Sequence, residues 1–324
     1  MNTLKELTKA VAEYIDTLEF PEEPAGLYEP MRYSLEGGGK RLRPMLTVAA
    51  CNIFSDNPRS ALPTAAAVEV FHNFTLQHDD IMDNADVRRG KPSVFKKWGE
   101  NTALLSGDAM MIFSYHLLQQ TATEYLPAVF GCFNHMALTV CEGQQLDMDF
   151  EERDSVSIEE YMTMIDKKTA ALLAGATIIG AIQGGADNQN LRKLFVFATE
   201  LGLAFQLQDD LLDSYGTEAQ LGKRIGGDIL EGKHTCLMLN AMSRATEEDR
   251  DVLRTTYLDE TLSDDEKIER VKAVYDKYDI PRVINQQISL RFERALSILD
   301  SLEISAERTE HLRAFAQNLM GRKK

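Results

Sequence analysis

The stretch PTAAAVEVFHNFTLQHDDIMD, residues 63–83, decides the fold class. Its proline suits a first helical turn, and Val68, Phe71, Phe74 and Thr75 fall at the spacing that turns one face of a helix toward an interior. Working outward, nearly every long segment repeats the three-to-four-residue period, and none shows the sustained alternation of a half-buried strand. The expectation is an all-α protein. Punctuation falls where helices would have to stop or start, at Gly37-Gly38-Gly39, Pro63, Gly90 with Pro92, Gly184-Gly185, Gly216, Gly226-Gly227 and Pro281. Ser263-Asp264-Asp265-Glu266 fits a capping box, and residues 284–299 read as a further amphipathic helix. With no long linker, fixed-period repeat or low-complexity tract, one large helical domain over residues 1–324 is expected.

Composition narrows the function. Against 35 Lys and Arg stand 51 Asp and Glu, a net charge of −16 that argues against binding nucleic acid. With 44% hydrophobic and 27% charged residues, the chain is globular rather than disordered. Its longest apolar run, residues 170–182, is broken by Gly175, Thr177 and Gly180 and falls short of the roughly 20 residues a membrane span needs. The first twenty residues place Leu4, Leu7, Val11, Tyr14, Ile15 and Leu18 at helical spacing among acids, unlike a secretory signal. Cys51, Cys132, Cys141 and Cys236 form no CxxC pair and read as free buried thiols. A soluble cytoplasmic protein without stable membrane insertion is expected.

Two acidic clusters stand where stability does not want them. Asp79, Asp80 and Asp83 close the quoted stretch, and Asp209, Asp210 and Asp213 repeat the pattern near the end of a second helix, shortly before Gly216. Like charges one turn apart repel, and carboxylates at a helix C-terminus oppose the macrodipole by roughly 0.3–1 kcal/mol each. Hard oxygen ligands without His or Cys suit Mg2+, which keeps waters and takes its remaining ligands from substrate phosphates. An EF-hand is excluded, since Ile81 and Ala85 stand where that loop needs oxygen ligands.

A phosphate-bearing substrate also calls for cations that do not neutralise the aspartates. Gly38-Gly39-Lys40-Arg41-Leu42-Arg43-Pro44 and Arg88-Arg89-Gly90 provide them, and His72 lies two helical turns before Asp79 on the same face.

These residues resemble the trans-isoprenyl diphosphate synthases of the polyprenyl synthetase family. The resemblance runs from about residue 37 to 234, through GGGKRLRP at 37–44, DDIMD at 79–83, RRGKP at 88–92, GQQLD at 143–147, KKT at 167–169, GLAFQLQDDLLD at 202–213, LGKR at 221–224 and GK at 232–233. It implies a helical bundle around a central cavity, with the two Asp clusters facing each other and holding Mg2+ on an allylic diphosphate. Arg88, Lys168, Lys223 and Lys233 would add positive charge there, with Gln206 and Thr169 near the nascent cation. Lys40, Arg43, His72 and Arg89 would bind isopentenyl diphosphate. The implied reaction is ionisation, condensation and elimination, carried out by a homodimer, and the basic tail Arg322-Lys323-Lys324 resembles one that covers the isopentenyl site in some members.

A class I terpene cyclase would not need the Lys40, Arg43 and His72 set, and a silent regulatory subunit would not keep both acidic clusters. For product length, Phe74 lies about 7.5 Å from Asp79 along the helix and Phe71 about 12 Å, at 1.5 Å per residue. Phe74, with Thr75 beside it, is the expected floor of the product cavity and Phe71 the next candidate. A bulky residue there, with no insertion between the aspartates, resembles geranylgeranyl diphosphate synthases of the archaeal type. Geranylgeranyl diphosphate is the expected product and farnesyl diphosphate the next.

Overall fold

A computed structural model describes residues 3–217 and 225–321. Helices dominate, as the periodicity requires, and the chain divides into two compact units. The first comprises Met1–His135, Gly175–Phe195 and Asp300–Phe315; the second comprises Met136–Ala174, Val196–Leu299 and Ala316–Lys324.

The first unit opens with α1 (Leu4–Asp16), started by a reciprocal capping box between Thr3 and Glu6. It buries Leu7, Val11 and Ile15, half of the stripe read from the sequence, together with Ala10. Next come α2 (Ala25–Glu36), α3 (Leu42–Phe54) and α4 (Leu62–Met82). Pro63 sits in the first turn of α4, and Ala65, Ala66, Ala67, Val68, Val70 and Phe71 are almost wholly buried, so this helix is covered on every side. Its small residues let α3 and the later α6 (Glu100–Leu118) lie close against it.

What ends α4 also aims its acidic cluster. Asn84 adopts the left-handed conformation (φ 48°), Ala85 N–H donates to Asp80 O at 2.8 Å, and Asn84 N–H donates to Ile81 O at 3.2 Å. This Schellman stop leaves Asp83 as the capping residue.

The following segment departs from the all-helical reading. Val87–Arg88 (β1) and Lys91–Pro92 (β2) form a two-stranded antiparallel ladder pairing Val87 with Pro92 and Arg88 with Lys91. Arg89 and Gly90 both have positive φ, 54° and 75°, the backbone a tight two-residue hairpin demands. Two residues per strand are too few for any alternation to register in the sequence. Ser93 then ties the hairpin down, since its hydroxyl donates to Ala85 O at 2.7 Å and caps α5 (Val94–Trp98).

The second unit contains most of α7 (Leu126–Glu151), then α8 (Ile158–Ile165), which starts with a Ser157–Glu160 capping box. Residues Asp166–Ala170 widen into a π turn before α9 (Ala171–Gly184), and α10 (Asn188–Tyr215) carries the second acidic cluster. The expected box at Ser263 and Glu266 starts the helix Asp264–Lys277. The expected amphipathic segment lies within the helix Ile280–Asp300, which buries Ile284, Ile288, Phe292, Ala295 and Leu299.

All four cysteines are free, Cys51 and Cys236 buried as expected, but Cys132 is only half-buried and Cys141 is exposed on α7. Burial pushes the Cys51 thiol up to about 11, so it stays protonated. Among the described residues no helix is long and apolar enough to cross a membrane.

Candidate active site

In the first unit the aspartates of α4 part company. Asp79 is half-buried and Asp83 exposed, whereas Asp80 is only 3% exposed. Arg88 Nε donates to Asp80 Oδ1 at 2.8 Å. Burial raises the Asp80 pKa, and Arg88 opposes that rise. A cation that leaves the aspartates unneutralised was expected at position 88. Instead, the hairpin brings Arg88 onto the buried carboxylate.

The glycine loop, α4 and the hairpin converge on His72. Arg43 Nη1 lies 2.9 Å from His72 Nε2. A guanidinium can only donate, so Nε2 accepts and the ring proton sits on Nδ1. Burial, followed by the charges of Arg43, Arg89, Arg88 and Arg41, holds the His72 pKa well below its ordinary value, so the imidazole is neutral. Arg89 donates to Gly38 O and, at 3.4 Å, to Asn73 Oδ1. Gly39 has φ 128°, a backbone that favours glycine, and a Cβ there would lie 3.0 Å from the Arg89 guanidinium carbon, which would have to shift. Lys40 is exposed beside it.

The expected floor residues differ in burial. Phe71 is fully buried and meets Phe133 edge-on at 5.4 Å between centroids, so it is core. Phe74 is 8% exposed, with its ring 4.7 Å from that of His78, and Thr75 donates to His72 O at 2.8 Å.

In the second unit the sorting recurs in part, with two aspartates buried instead of one. Asp209 is half-buried, while Asp210 is 5% exposed and surrounded by donors. Tyr161 Oη donates to Asp210 Oδ2, Gln206 Nε2 to Oδ1 at 2.9 Å, and Cys236 N–H to Oδ2 at 3.5 Å. Burial raises the Asp210 pKa and these hydrogen bonds oppose it. Thr169 Oγ1 in turn donates to Gln206 Oε1 at 2.8 Å, so the amide is oriented from both ends. Asp213 is buried, and its Oδ2 accepts Asp228 N–H at 3.0 Å.

The π turn explains why GQQLD and KKT occur together. A Cβ on Gly143 would lie 2.2 Å from Lys168 N, so glycine alone admits the turn against α7. Lys168 Nζ then reaches Asp147 Oδ2 at 2.5 Å. Lys233 pairs with Glu231 at 2.8 Å. Lys223 and the basic tail at 322–324 lie outside the described residues.

Sequence reasoning gave no buried contact to Tyr161, Asp147, Arg41 or Glu69. Tyr161 hides in an apolar stripe with Met164 and Ile165, Asp147 sits unremarked inside a motif quoted whole, and Arg41 was counted only among the cations of the glycine loop. Glu69 had a legible signal, being the one carboxylate in residues 63–78, and it is 2% exposed.

The polyprenyl synthetase family model matches residues 24–278. The chain belongs to the polyprenyl synthetase family. It is 42% identical to the geranylgeranyl diphosphate synthase of Methanosarcina mazei over 252 residues, 77% of this chain and 78% of that one. The solved structure of a geranylgeranyl pyrophosphate synthase, 42% identical, matches with a TM-score of 0.94 over 100% of both chains. A geranylgeranyl pyrophosphate synthase from Corynebacterium glutamicum, solved with isoprenyl diphosphate and magnesium, matches with a TM-score of 0.87 at 27% identity over 98% of each chain. This polyprenyl synthetase is a trans-prenyltransferase that makes prenyl diphosphates.

Neutral His72 makes stability depend on pH. Folding lowers its pKa below the ~6.5 of a free imidazole, so the unfolded chain takes up the proton first as pH falls. The stability is therefore whole above about pH 6.5 and is lost on acidification below it. The melting temperature is expected to fall between about pH 7 and pH 5 more steeply for the wild type than for His72→Gln. Parallel curves for the two proteins would show that folding does not lower the His72 pKa.

Proposed function

We propose that this synthase joins isopentenyl diphosphate to an allylic diphosphate by ionisation, condensation and elimination, with geranylgeranyl diphosphate as its main product. The observation that carries this reading is the sorting of the carboxylates. Asp79, Asp83 and Asp209 retain access to solvent at the ends of long helices, while Asp80, Asp210 and Asp213 are buried and hydrogen-bonded.

The accessible set fits Mg2+. Its donors are hard oxygens, and among the described residues no group of three or more His, Cys, Asp or Glu side chains encloses a metal by itself. Each cluster therefore offers an incomplete shell, which is how Mg2+ is held when water and phosphate oxygens supply the rest. Asp79 and Asp83 in the first unit, and Asp209 in the second, would serve as metal ligands, with Asp80 supporting the former and Asp210 and Asp213 the latter. When bound, it offsets the negative charge that develops on the leaving diphosphate. The Corynebacterium relative, solved with magnesium, supports the same choice.

Lys40, Arg43, His72 and Arg89 bind the diphosphate of isopentenyl diphosphate. His72, neutral and accepting from Arg43 at Nε2, presents Nδ1–H as a donor without adding charge. Arg88, Lys168, Lys223 and Lys233 serve the allylic side. The Gln206 amide, held by Asp210 and Thr169, offers a fixed dipole to the allylic cation. No side chain is needed as nucleophile, and the departing diphosphate accepts the final proton.

Mixing the protein with isopentenyl diphosphate, an allylic diphosphate and Mg2+ is expected to yield a longer prenyl diphosphate. Asp79→Ala or Asp209→Ala should lower turnover by about 10²–10³, the scale of a lost leaving-group contact, with melting little changed. Full activity in excess chelator would overturn the metal assignment.

Phe74 sets the product length, since it lines α4 at 8% exposure while Phe71 is spent on core packing. Phe74→Ala should shift products beyond four isoprene units when extracts are resolved by chain length. An unchanged distribution would mean that the limit lies elsewhere.

A homodimer is the proposed assembly. Leu105 and Ile112, seven residues apart on α6, are 62% and 70% exposed, an apolar face of the kind partners cover. Light scattering after size exclusion should return twice the chain mass, and a monomer at micromolar concentration would refute it.

A further inference from the structure

The residue that this reading leaves unused is Glu69. It sits inside α4, 2% exposed, next in sequence to the buried Val68, Val70 and Phe71. A carboxylate so placed is tolerated only if donors fill it. Arg41 Nη1 lies 2.5 Å from Glu69 Oε1, and Asn73 Nδ2 donates to the same oxygen at 3.1 Å. Asn73 is itself 1% exposed and is anchored again to Glu69 O at 2.8 Å.

From these two side chains, contacts radiate to every segment that carries a cation of the isopentenyl pocket. Arg41 also donates to Leu35 O at the end of α2, and it immediately precedes α3, whose first turn holds Arg43. Asn73 Oδ1 accepts from Arg89, which in turn donates to Gly38 O in the glycine loop. Arg41 and Arg89 both adopt left-handed backbone, φ 46° and 54°, which an arginine does not favour without side-chain anchorage. Charge points the same way. Burial lowers the Arg89 pKa, and Glu69 is the largest influence opposing it, ahead of Asp80.

We propose that Glu69 and Asn73 are positioning residues for isopentenyl diphosphate: they hold Arg41 and Arg89, and through them the loop bearing Lys40 and Arg43, in the geometry that receives the diphosphate. The proposal rests on the assignment of Lys40, Arg43, His72 and Arg89 to that substrate. Glu69 touches neither substrate nor metal. Its carboxylate acts through the backbone placement of its neighbours, and it partly offsets the mutual repulsion of Arg41, Arg43, Arg88 and Arg89 around His72.

Steady-state kinetics on Glu69→Gln separate this role from a merely structural one. The KM for isopentenyl diphosphate is expected to rise about tenfold or more, while kcat and the KM for the allylic substrate stay within about twofold. Asn73→Ala, which leaves the Arg41 ion pair in place, should give the same split at about threefold, and it carries the test if Glu69→Gln does not fold. Both KM values rising together, or a lower melting temperature with both unchanged, would overturn the proposal. The wild-type protein is the control for the functional reading itself. If it makes no prenyl diphosphate, that reading fails; if it does and both variants behave like it, only the positioning role fails.

Discussion

A carboxylate buried in a helical interior has to be met by donors, and in this protein the donors arrive on the segments that helices alone would leave loose. Glu69, Asp80 and Asp210 are each 5% exposed or less. Arg41 and Asn73 meet the first, Arg88 the second, and Tyr161 with Gln206 the third. Stripping such a group of its partner leaves an uncompensated charge, at about 3–5 kcal/mol for an ion pair, so these contacts dictate where the connecting chain goes. The glycine loop is drawn to α4 by Glu69, the short hairpin by Asp80, and α8 to α10 by Asp210. What looks like a set of acidic motifs is also the fastening of the irregular segments.

The same requirement divides labour within each acidic cluster. A buried carboxylate is a poor first choice for a cation, and one that reaches water is a better one. Along α4 the helical turn separates Asp79 and Asp83 from Asp80, and along α10 it separates Asp209 from Asp210. The three aspartates of each motif are therefore not equivalent. The buried members fasten the helix ends that present the accessible ones, which under the proposed mechanism would suit a leaving group whose charge is met without reorganisation. His72 follows a related logic, because burial, reinforced by four nearby arginines, makes its protonation unfavourable and leaves a neutral donor where a further cation would only repel.

Close backbone approach carries the rest of the design. Gly180 lies where a Cβ would meet Thr47 O at 1.8 Å, Gly202 where one would meet Ala170 Cα at 2.6 Å, and Gly143 against the π turn. These positions let helices pack at contact distance with small residues between them. The wider turn at Asp166–Ala170 can therefore press Lys168 toward Asp147 and Thr169 toward Gln206.

Much of this was legible in the amino-acid order, because helical period, the capping box at Ser263, and the Asp79 and Asp209 clusters are local properties. A helix needs only its own residues to show an apolar stripe, and two costly acidic ends announce a cation without any tertiary information. The order of motifs was enough to place the chain among the polyprenyl synthetases. Only the tertiary structure decided which aspartates are buried, that Arg88 pairs with Asp80, that Phe71 is core while Phe74 keeps some exposure, and that Glu69 and Tyr161 matter. Each of these depends on which residue of a distant segment arrives as partner, such as Arg41 at Glu69 or Tyr161 at Asp210, and sequence spacing carries no record of that. The hairpin at Val87–Pro92 shows the same limit, since two residues per strand hold no periodicity and its shape is set by the buried carboxylate it reaches.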